Sequence, residues 1–252
     1  IIGSKKGLYS LIRNEINKIT PEITDPKKLA KTAIRDIEIV SENEIWYSTF
    51  GMGLFLHDPG TFITLNKKSG LDVGGMTYDM IQYKNKVYVA TRNGLFVYQD
   101  SKIIKHLTKS NGLPSNTILD LDVDSEGTLW LATTNGLSKY TGGSFINYGR
   151  KDGLPSKLVT AVHVDVMNNS KIWLGSERSG LTRFDKKGFF TFAKQDGLPS
   201  NSIRDITQLN NGSLVLACYN AGVVKFDENK FKLFDNGLDD KRVILLTIGP
   251  DD

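Results

Sequence analysis

The sequence predicts an all-β protein, a β-propeller with six four-stranded blades that forms one domain over residues 1–252. Two observations support this prediction. A repeat of about forty residues runs through the chain, and each copy contains four short segments with strand-like alternation. Four-stranded units of this length, separated by turn residues, are typical of propeller blades. The alternative is a fragment of a seven-bladed propeller, because removing whole repeats from a longer propeller would leave the same sequence pattern.

The repeat is marked first by a Gly-Leu or Gly-Val pair that follows an apolar strand. The pairs begin at Gly7, Gly53, Gly94, Gly136, Gly180 and Gly222. The strand before each pair carries one large apolar residue in a fixed column, which contains Ile1, Trp46, Tyr88, Trp130, Trp173 and Val215. We expect this column to be buried between stacked blades. We expect the glycine to adopt a positive φ in a hairpin turn.

A second recurring motif, Gly-Leu-Pro-Ser at 112–115, 153–156 and 197–200, precedes the innermost strand of the following unit. Because the motif recurs from blade to blade, we interpret it as a structural connection and not as a binding loop. Helical character is confined to residues 26–33. The chain starts at the second strand of a blade and stops after a first strand, so residues 242–248 would pair with 1–4 in a closed ring. We interpret the chain as a piece of a longer multidomain protein.

Composition excludes several classes of function. The net charge of +4 over 252 residues is too small for a dedicated polyanion surface, so nucleic-acid binding is not expected. No apolar run approaches the roughly 18 residues of a membrane helix, so this domain itself does not span the membrane. The three histidines (His57, His106 and His163) fall on different strand positions of different repeats, and we expect no metal site and no cofactor. Cys218 is expected to be a small buried hydrophobe.

Residues 129–165 resemble the two-component regulator propeller repeat. The resemblance rests on a Trp strand, Thr-x-x-Gly-Leu-x-x-aromatic, an aromatic strand, and Asp-Gly-Leu-Pro-Ser followed by a further strand. It implies a periplasmic sensor module of a bacterial hybrid histidine kinase that responds to glycans, with any kinase activity located in another part of the receptor. The repeat is also similar to parts of secretion-system accessory proteins and, more distantly, to the streptogramin lyase propeller.

Residues that differ between blades provide the candidate binding site. In a propeller, the turn after the Trp strand and the loop before the innermost strand lie at the same end of the ring, around the channel mouth. Basic, amide and aromatic side chains occupy these positions, and Glu177 is nearly the only acid in the turns. Such side chains suit an anionic or sugar-like ligand, although a merely solvated surface is the alternative interpretation. The predicted ligand-binding residues are Lys5, Arg35, Phe50, Tyr78, Arg92, Asn135, Arg178, Arg204, Tyr219, Asn220 and Lys241.

Acidic residues form a second recurring column early in the innermost strands, at Asp36, Asp79, Asp120 and Asp205. A ring of carboxylates could bind a cation on the axis, but short acidic side chains more often accept hydrogen bonds from neighbouring backbone N–H groups, and we favour that interpretation. Residues 122–127 resemble a calcium loop, yet Thr133 stands where the essential glutamate is needed, so we predict a plain turn.

The favoured function is therefore a non-catalytic, extracytoplasmic ligand-sensing domain with a small polar or glycan ligand as its partner. A homodimer could form through the full-length receptor. The first alternative is a protein–protein interaction scaffold in a cell-envelope or secretion assembly. The least favoured alternative is a lyase, which would need His163 as its base because only this histidine lies on an innermost strand.

Overall fold

The computed structural model describes residues 2–4, 7–12, 15–18, 34–41, 44–49, 53–58, 61–65, 76–100, 102–168, 170–227, 230–234, 241–243 and 246. The chain divides into two compact units. The first contains Ile1–Ser110 and Asn116–Ile118, and the second contains Asn111–Ser115 and Leu119–Asp252. The predicted helix at 26–33 lies outside the described residues. Among those residues, no helix is both long and apolar enough to cross a membrane.

The first unit contains a three-stranded sheet and two four-stranded sheets, called blades 1 and 2. The three-stranded sheet consists of β1 (Ile2–Ser4), β2 (Gly7–Ile12) and β3 (Glu15–Lys18). Blade 1 consists of β4 (Ile34–Ser41), β5 (Glu44–Thr49), β6 (Gly53–Asp58) and β7 (Thr61–Leu65). Blade 2 consists of β8 (Thr77–Tyr83), β9 (Lys86–Thr91), β10 (Gly94–Gln99) and β11 (Lys102–Leu107).

Blades 3 to 5 form the second unit, apart from Ile118 at the start of blade 3. Blade 3 consists of β12 (Ile118–Val123), β13 (Leu129–Thr133), β14 (Gly136–Thr141) and β15 (Ser144–Tyr148). Blade 4 consists of β16 (Val159–Val164), β17 (Ile172–Ser176), β18 (Leu181–Asp185) and β19 (Gly188–Phe192). Blade 5 consists of β20 (Ile203–Gln208), β21 (Leu214–Cys218), β22 (Gly222–Asp227) and β23 (Lys230–Phe234). Single 3-10 turns occur at Lys109–Asn111, Arg150–Asp152 and Lys194–Asp196.

The all-β prediction is confirmed, but the predicted number of blades is wrong. The described residues form five propeller-type blades of four strands each and one three-stranded sheet, not the six complete blades of the prediction or its seven-bladed alternative. The prediction counted six Gly-Leu repeats and assigned a complete blade to each. The repeat that contains Gly7 forms only three described strands, because no described segment adds an inner strand to β1. Most of the expected pairing between 242–248 and 1–4 lies outside the described residues, and Arg242 bridges Tyr219 instead.

The Gly-Leu column confirms the predicted turn geometry. The glycines that open β6, β10, β14 and β22, and Gly180 just before β18, all have positive φ values. At Gly94 and Gly136 an added Cβ would collide with the backbone carbonyl oxygens of Leu107 and Tyr148 on the outermost strand. Only glycine satisfies both requirements, which explains why this residue recurs in every repeat.

The tryptophan column forms the core between neighbouring blades within each unit. Trp46, Trp130 and Trp173 are 0%, 6% and 6% exposed, while Tyr88 and Val215 are half-buried. Each tryptophan packs edge-on against an aromatic ring in the third strand of the next blade. The pairs are Trp46–Tyr98, Trp130–Phe184 and Trp173–Phe226, with ring centroids 4.5, 6.0 and 5.7 Å apart. The repeated residues therefore join blade to blade, and burial of these rings stabilises the stack.

Cys218 is fully buried in the same strand of blade 5, as predicted. Burial raises the pKa of its thiol to about 12, because desolvation disfavours the thiolate. The residue is therefore an apolar packing group.

Candidate functional site

The described turns that follow β9, β13, β17 and β21 contact segments that enter an innermost strand. In the first unit the backbone N–H of Arg92 donates to the Met76 carbonyl oxygen at 3.2 Å. In the second unit such bonds join one blade to the next segment of chain. They run from Gly136 to Lys157, from Gly180 to Asn201 and from Gly222 to Lys241, with N···O distances of 2.6, 3.0 and 3.2 Å. Within each unit the two predicted rim segments therefore lie together.

The Gly-Leu-Pro-Ser loops hold this arrangement in place. The hydroxyls of Ser115 and Ser200 bond to Thr134 Oγ1 and to the Tyr219 carbonyl oxygen, at 2.7 and 3.1 Å. The residue after the motif also bonds within the chain, since Asn201 Oδ1 accepts the N–H of Lys194 at 2.9 Å. The interpretation of this motif as a structural connection is confirmed, because its polar side chains bond to the protein itself.

Three side chains of blades 4 and 5 form what we call the rim cluster: Glu177, Arg204 and Tyr219. Arg204 donates through Nη2 to Glu177 Oε1 at 3.3 Å. Its guanidinium carbon also lies 5.0 Å from the centre of the Tyr219 ring. Glu177 follows β17, Arg204 is the second residue of β20 and Tyr219 follows β21, so the ends of three strands build the site.

The rim cluster leaves hydrogen-bonding capacity for a ligand. The Nε atom of Arg204 is buried and has no hydrogen-bond partner among the described residues. Arg204 and Glu177 side chains are 30% and 40% exposed, so solvent reaches the pair. A guanidinium held by one carboxylate and one aromatic face can still donate to an oxyanion or a hydroxyl. Because Arg204 covers one face of Tyr219, only the other face could contact a sugar ring.

Sequence reasoning selected Arg204 and Tyr219 but treated Glu177 as an exception to the basic rim. The structure shows that this acid orients Arg204. Glu177 is nearly the only acidic residue in these turns. That isolation could have identified it from the sequence, because a single carboxylate among basic residues is a natural ion-pair partner.

The other predicted residues are placed as follows. In the second unit Arg178, Asn220 and Lys241 are exposed, while the Asn135 side chain donates to the Pro114 carbonyl oxygen at 3.1 Å. In the first unit Arg92 is exposed and the Tyr78 hydroxyl lies 3.3 Å from Met76 Sδ. Lys5 and Phe50 lie outside the described residues, and Arg35 is described only as part of the β4 backbone. The structure thus groups two of the predicted residues into one cluster and gives Asn135 a structural bond.

The acidic column links innermost segments by hydrogen bonds, as far as the structure describes them. In three blades, one carboxylate oxygen of the aspartate accepts a hydrogen bond from a backbone N–H group of the next innermost segment. The bonds join Asp36 to Met80, Asp120 to Val162 and Asp205 to Leu246, at 3.0, 2.7 and 2.5 Å. The favoured structural interpretation is confirmed for these three residues, although the partners lie on neighbouring inner segments and not in loops. Desolvation raises the pKa of Asp205 despite bonds from two backbone N–H groups, which lower it.

Blade 4 departs from this column, because Ala161 replaces the aspartate. Blades 4 and 5 are joined there by the Thr160 hydroxyl, which donates to the Ile203 carbonyl oxygen at 2.5 Å. Two residues further along β16, His163 Nδ1 lies 3.3 Å from Asp122 Oδ2, and its Nε2 is buried without a hydrogen-bond partner among the described residues. This histidine is the one that the lyase alternative requires.

Within the described part of the chain, no group of three or more His, Cys, Asp or Glu side chains could hold a metal ion. The calcium-like segment is a hairpin turn: Asp124 Oδ1 accepts the N–H groups of Glu126 and Thr128 at 3.0 and 2.8 Å. His106 Nε2 bonds to the Asn93 carbonyl oxygen at 2.8 Å, and its ring stacks on Phe96.

Comparison with known proteins places these observations in a family context. Residues 112–135 match the family model described as two component regulator propeller, which confirms the resemblance seen in the sequence. No curated protein sequence matches the chain.

Solved structures show the same fold. The extracellular domain of a hybrid two component system from B. thetaiotaomicron has 22% identity and a TM-score of 0.76, over 92% of this chain and 32% of that chain. The extracellular domain of a second such system from B. thetaiotaomicron has 19% identity and a TM-score of 0.73, over 95% and 33%. Virginiamycin B lyase from Staphylococcus aureus has 14% identity and a TM-score of 0.66, over 83% and 72%. The chain thus spans about a third of the two extracellular-domain structures, and the likeness shows a fold that these domains and a lyase share.

Proposed function

We propose that this chain, which carries a two component regulator propeller repeat at residues 112–135, is the extracytoplasmic ligand-sensing part of a bacterial two-component receptor. It binds a small polar or anionic ligand, such as a glycan, at the rim cluster, and it is not itself catalytic. The family match supports the receptor assignment, and the fold shared with extracellular domains of two-component systems supports the location.

The observation that carries the ligand-binding proposal is the state of Arg204. Its guanidinium is positioned by Glu177 and by the Tyr219 ring, yet buried Nε has no partner among the described residues. Because the Arg204 side chain is 30% exposed, a ligand oxygen can reach its guanidinium from solvent and accept a charge-assisted hydrogen bond. Because Glu177 neutralises part of the charge, a hydroxyl of a sugar suits the site as well as an oxyanion does.

Signal transmission then requires no chemistry in this domain. A ligand that contacts both Glu177 of blade 4 and Arg204 of blade 5 stabilises one arrangement of the two blades relative to others. A ligand shifts such an equilibrium by its difference in affinity for the two states.

Calorimetric titration with a panel of neutral and anionic oligosaccharides tests the proposal. Arg178→Ala, Arg204→Ala and Tyr219→Ala should each weaken binding by about 1–3 kcal/mol, through loss of a charged hydrogen bond or a ring contact. Arg150→Ala, an exposed arginine on a 3-10 turn, is the matched control and should bind as the parent does. Absence of binding to the parent protein by every member of the panel would contradict the proposal.

A second candidate function is catalysis by His163. It is favoured by the 3.3 Å contact between Asp122 Oδ2 and His163 Nδ1, together with a buried Nε2 that has no hydrogen-bond partner in the described part of the chain. A carboxylate at Nδ1 orients an imidazole so that Nε2 can act as a base. Turnover of a lyase substrate by the parent protein, lost in His163→Ala and reduced in Asp122→Asn, would support this function. A parent protein without turnover would exclude it for that substrate.

A further inference from the structure

The first unit contains a cavity of about 450 Å³ between blades 1 and 2. It opens where β5 and β9 begin and β6 and β10 end, which is the end of these blades away from the turn at Arg92. Blade 1 contributes Glu44 and Leu56 to the lining, and blade 2 contributes Lys84, Lys86, Tyr98 and Asp100 among others. This volume lies within the range of small-molecule binding sites.

Glu44 is held in the cavity wall by the core. The indole N–H of Trp46 donates to Glu44 Oε1 at 2.9 Å, and Trp46 itself is fully buried against Tyr98. The carboxylate therefore has a fixed position without a ligand. Such preorganisation reduces the entropy that binding costs.

Blade 1 differs here from the blades of the second unit. In blades 3 and 4 the indole N–H donates to Asp124 or Asp165, which are only 7% and 5% exposed and bond the amides of their own hairpin turns. In blade 1 the acceptor is the half-buried Glu44, which faces the cavity. Glu44 thus accepts the indole N–H of its tryptophan as Asp124 and Asp165 do, but it also lines the cavity.

Blade 2 supplies charges of both signs from two turns. Lys84 lies in the turn between β8 and β9, Lys86 is the first residue of β9, and Asp100 follows β10. Lys84 and Asp100 have positive φ values of 55° and 48°, and among described non-glycine residues only Asn220 shares this conformation. Backbone strain in L-residues is commonly retained where it positions functional groups.

We propose that this cavity binds a small zwitterion, specifically an α-amino acid with an apolar side chain. The four charged side chains, Glu44, Asp100, Lys84 and Lys86, comprise two acids and two bases, which matches a ligand that carries one ammonium group and one carboxylate. The ammonium group of an amino acid pairs with the carboxylates and its carboxylate pairs with the lysines. The apolar side chain of the ligand lies on Leu56 and Tyr98, where burial of apolar surface favours binding. The site lies in the other unit from the rim cluster and does not depend on the function proposed there.

Isothermal titration with leucine, N-acetylleucine, leucine amide and maltose tests this proposal. Leucine should bind, and the two blocked derivatives should each bind at least about tenfold more weakly because each lacks one charge. Lys86→Gln should lower the affinity for leucine about tenfold but leave that for leucine amide unchanged, because the amide has no carboxylate to lose a partner. Asp100→Asn should lower the affinity for leucine and leave that for N-acetylleucine unchanged.

Lys109→Gln changes an exposed lysine outside the cavity and is the matched control. Arg204→Ala should leave leucine binding unchanged, which separates this site from the rim cluster. Absence of leucine binding, equal binding of leucine and leucine amide, or binding of maltose in place of leucine would each overturn the proposal.

Discussion

The carboxylate of Asp120 accepts a 2.7 Å hydrogen bond from the backbone N–H of Val162, forty-two residues further along the chain. Asp122 makes the same contact with Val164, also at 2.7 Å. The separation equals one repeat, so side chains of one innermost strand bond to the backbone of the next. This relationship gives the innermost strands a ladder that ordinary strand pairing within a blade does not supply.

We predict that Asp120→Ala destabilises the protein by about 1–3 kcal/mol, because the Val162 N–H loses its acceptor. Urea denaturation measures the effect. Glu126→Ala, an exposed acid in a neighbouring turn, is the control and should change stability by less than about 0.5 kcal/mol. Equal stability of Asp120→Ala and Glu126→Ala would show that the ladder contributes nothing.

We predict that calcium does not stabilise the turn at 124–128. Asp124 Oδ1 accepts two backbone N–H groups and Oδ2 accepts the indole N–H of Trp130 at 3.4 Å, so its oxygens are already engaged. Addition of calcium or a chelator should leave the melting temperature unchanged, whereas Asp124→Ala should cost about 1–3 kcal/mol. A calcium-dependent rise in melting temperature that vanishes in Asp124→Ala would refute this prediction.

We predict that Gly175→Ala destabilises the protein, although alanine occupies the equivalent position at Ala90, Ala132 and Ala217. An added Cβ would lie 2.9 Å from Ile203 Cγ2 and 3.0 Å from Ala161 Cβ. Such overpacking costs about 1–3 kcal/mol. Thermal denaturation measures the loss, and Ala161→Gly in the same chain should recover part of it. A stabilised Gly175→Ala variant would mean that the repeat consensus, and not the local packing, determines the outcome.

We predict that ionisation of Asp205 opposes folding as pH rises. Desolvation raises its pKa in the folded protein above the ordinary value of 3.8, although bonds from Leu246 and Ile206 and the charge of His163 act in the opposite direction. A raised pKa means that the folded state binds the proton more tightly, so this contribution to stability is present below 3.8 and is lost as pH rises through the raised pKa.

Urea denaturation of the parent and of Asp205→Asn across a pH series measures this contribution. The variant loses one hydrogen bond at every pH, but its deficit relative to the parent should shrink as pH rises. A deficit that is constant or grows with pH would contradict the raised pKa.

Local sequence patterns were sufficient to predict the strands, the buried tryptophans and the glycine turns. These features depend on short-range rules, since a positive φ requires glycine and a large apolar residue in a strand requires a partner surface. The alternation of strands and turns also identified the propeller class. The count of blades failed because repeats in a sequence do not show whether each one contributes a complete set of four strands.

The candidate site was predicted only in part. Arg204 lies in β20 and Tyr219 follows β21, and their proximity to each other and to Glu177 follows from how blades 4 and 5 pack. Sequence reasoning assigned the basic residues to a rim, but it could not determine that Asn135 would bond to Pro114. The cavity between blades 1 and 2 was not anticipated at all, because its lining comes from both blades.

The sequence by itself therefore determined the repeat, the class of fold and the residues that must be buried or must turn, since each of these is a property of one strand or one hairpin. Tertiary structure alone decided the partners of Asp120 and Arg204 and the cavity that Glu44 lines. Each of these side chains interacts with an atom of another strand or within a wall that two blades build together. The physical reason is that hydrogen bonds and ion pairs act over a few ångströms, and only packing brings residues from different blades to that distance.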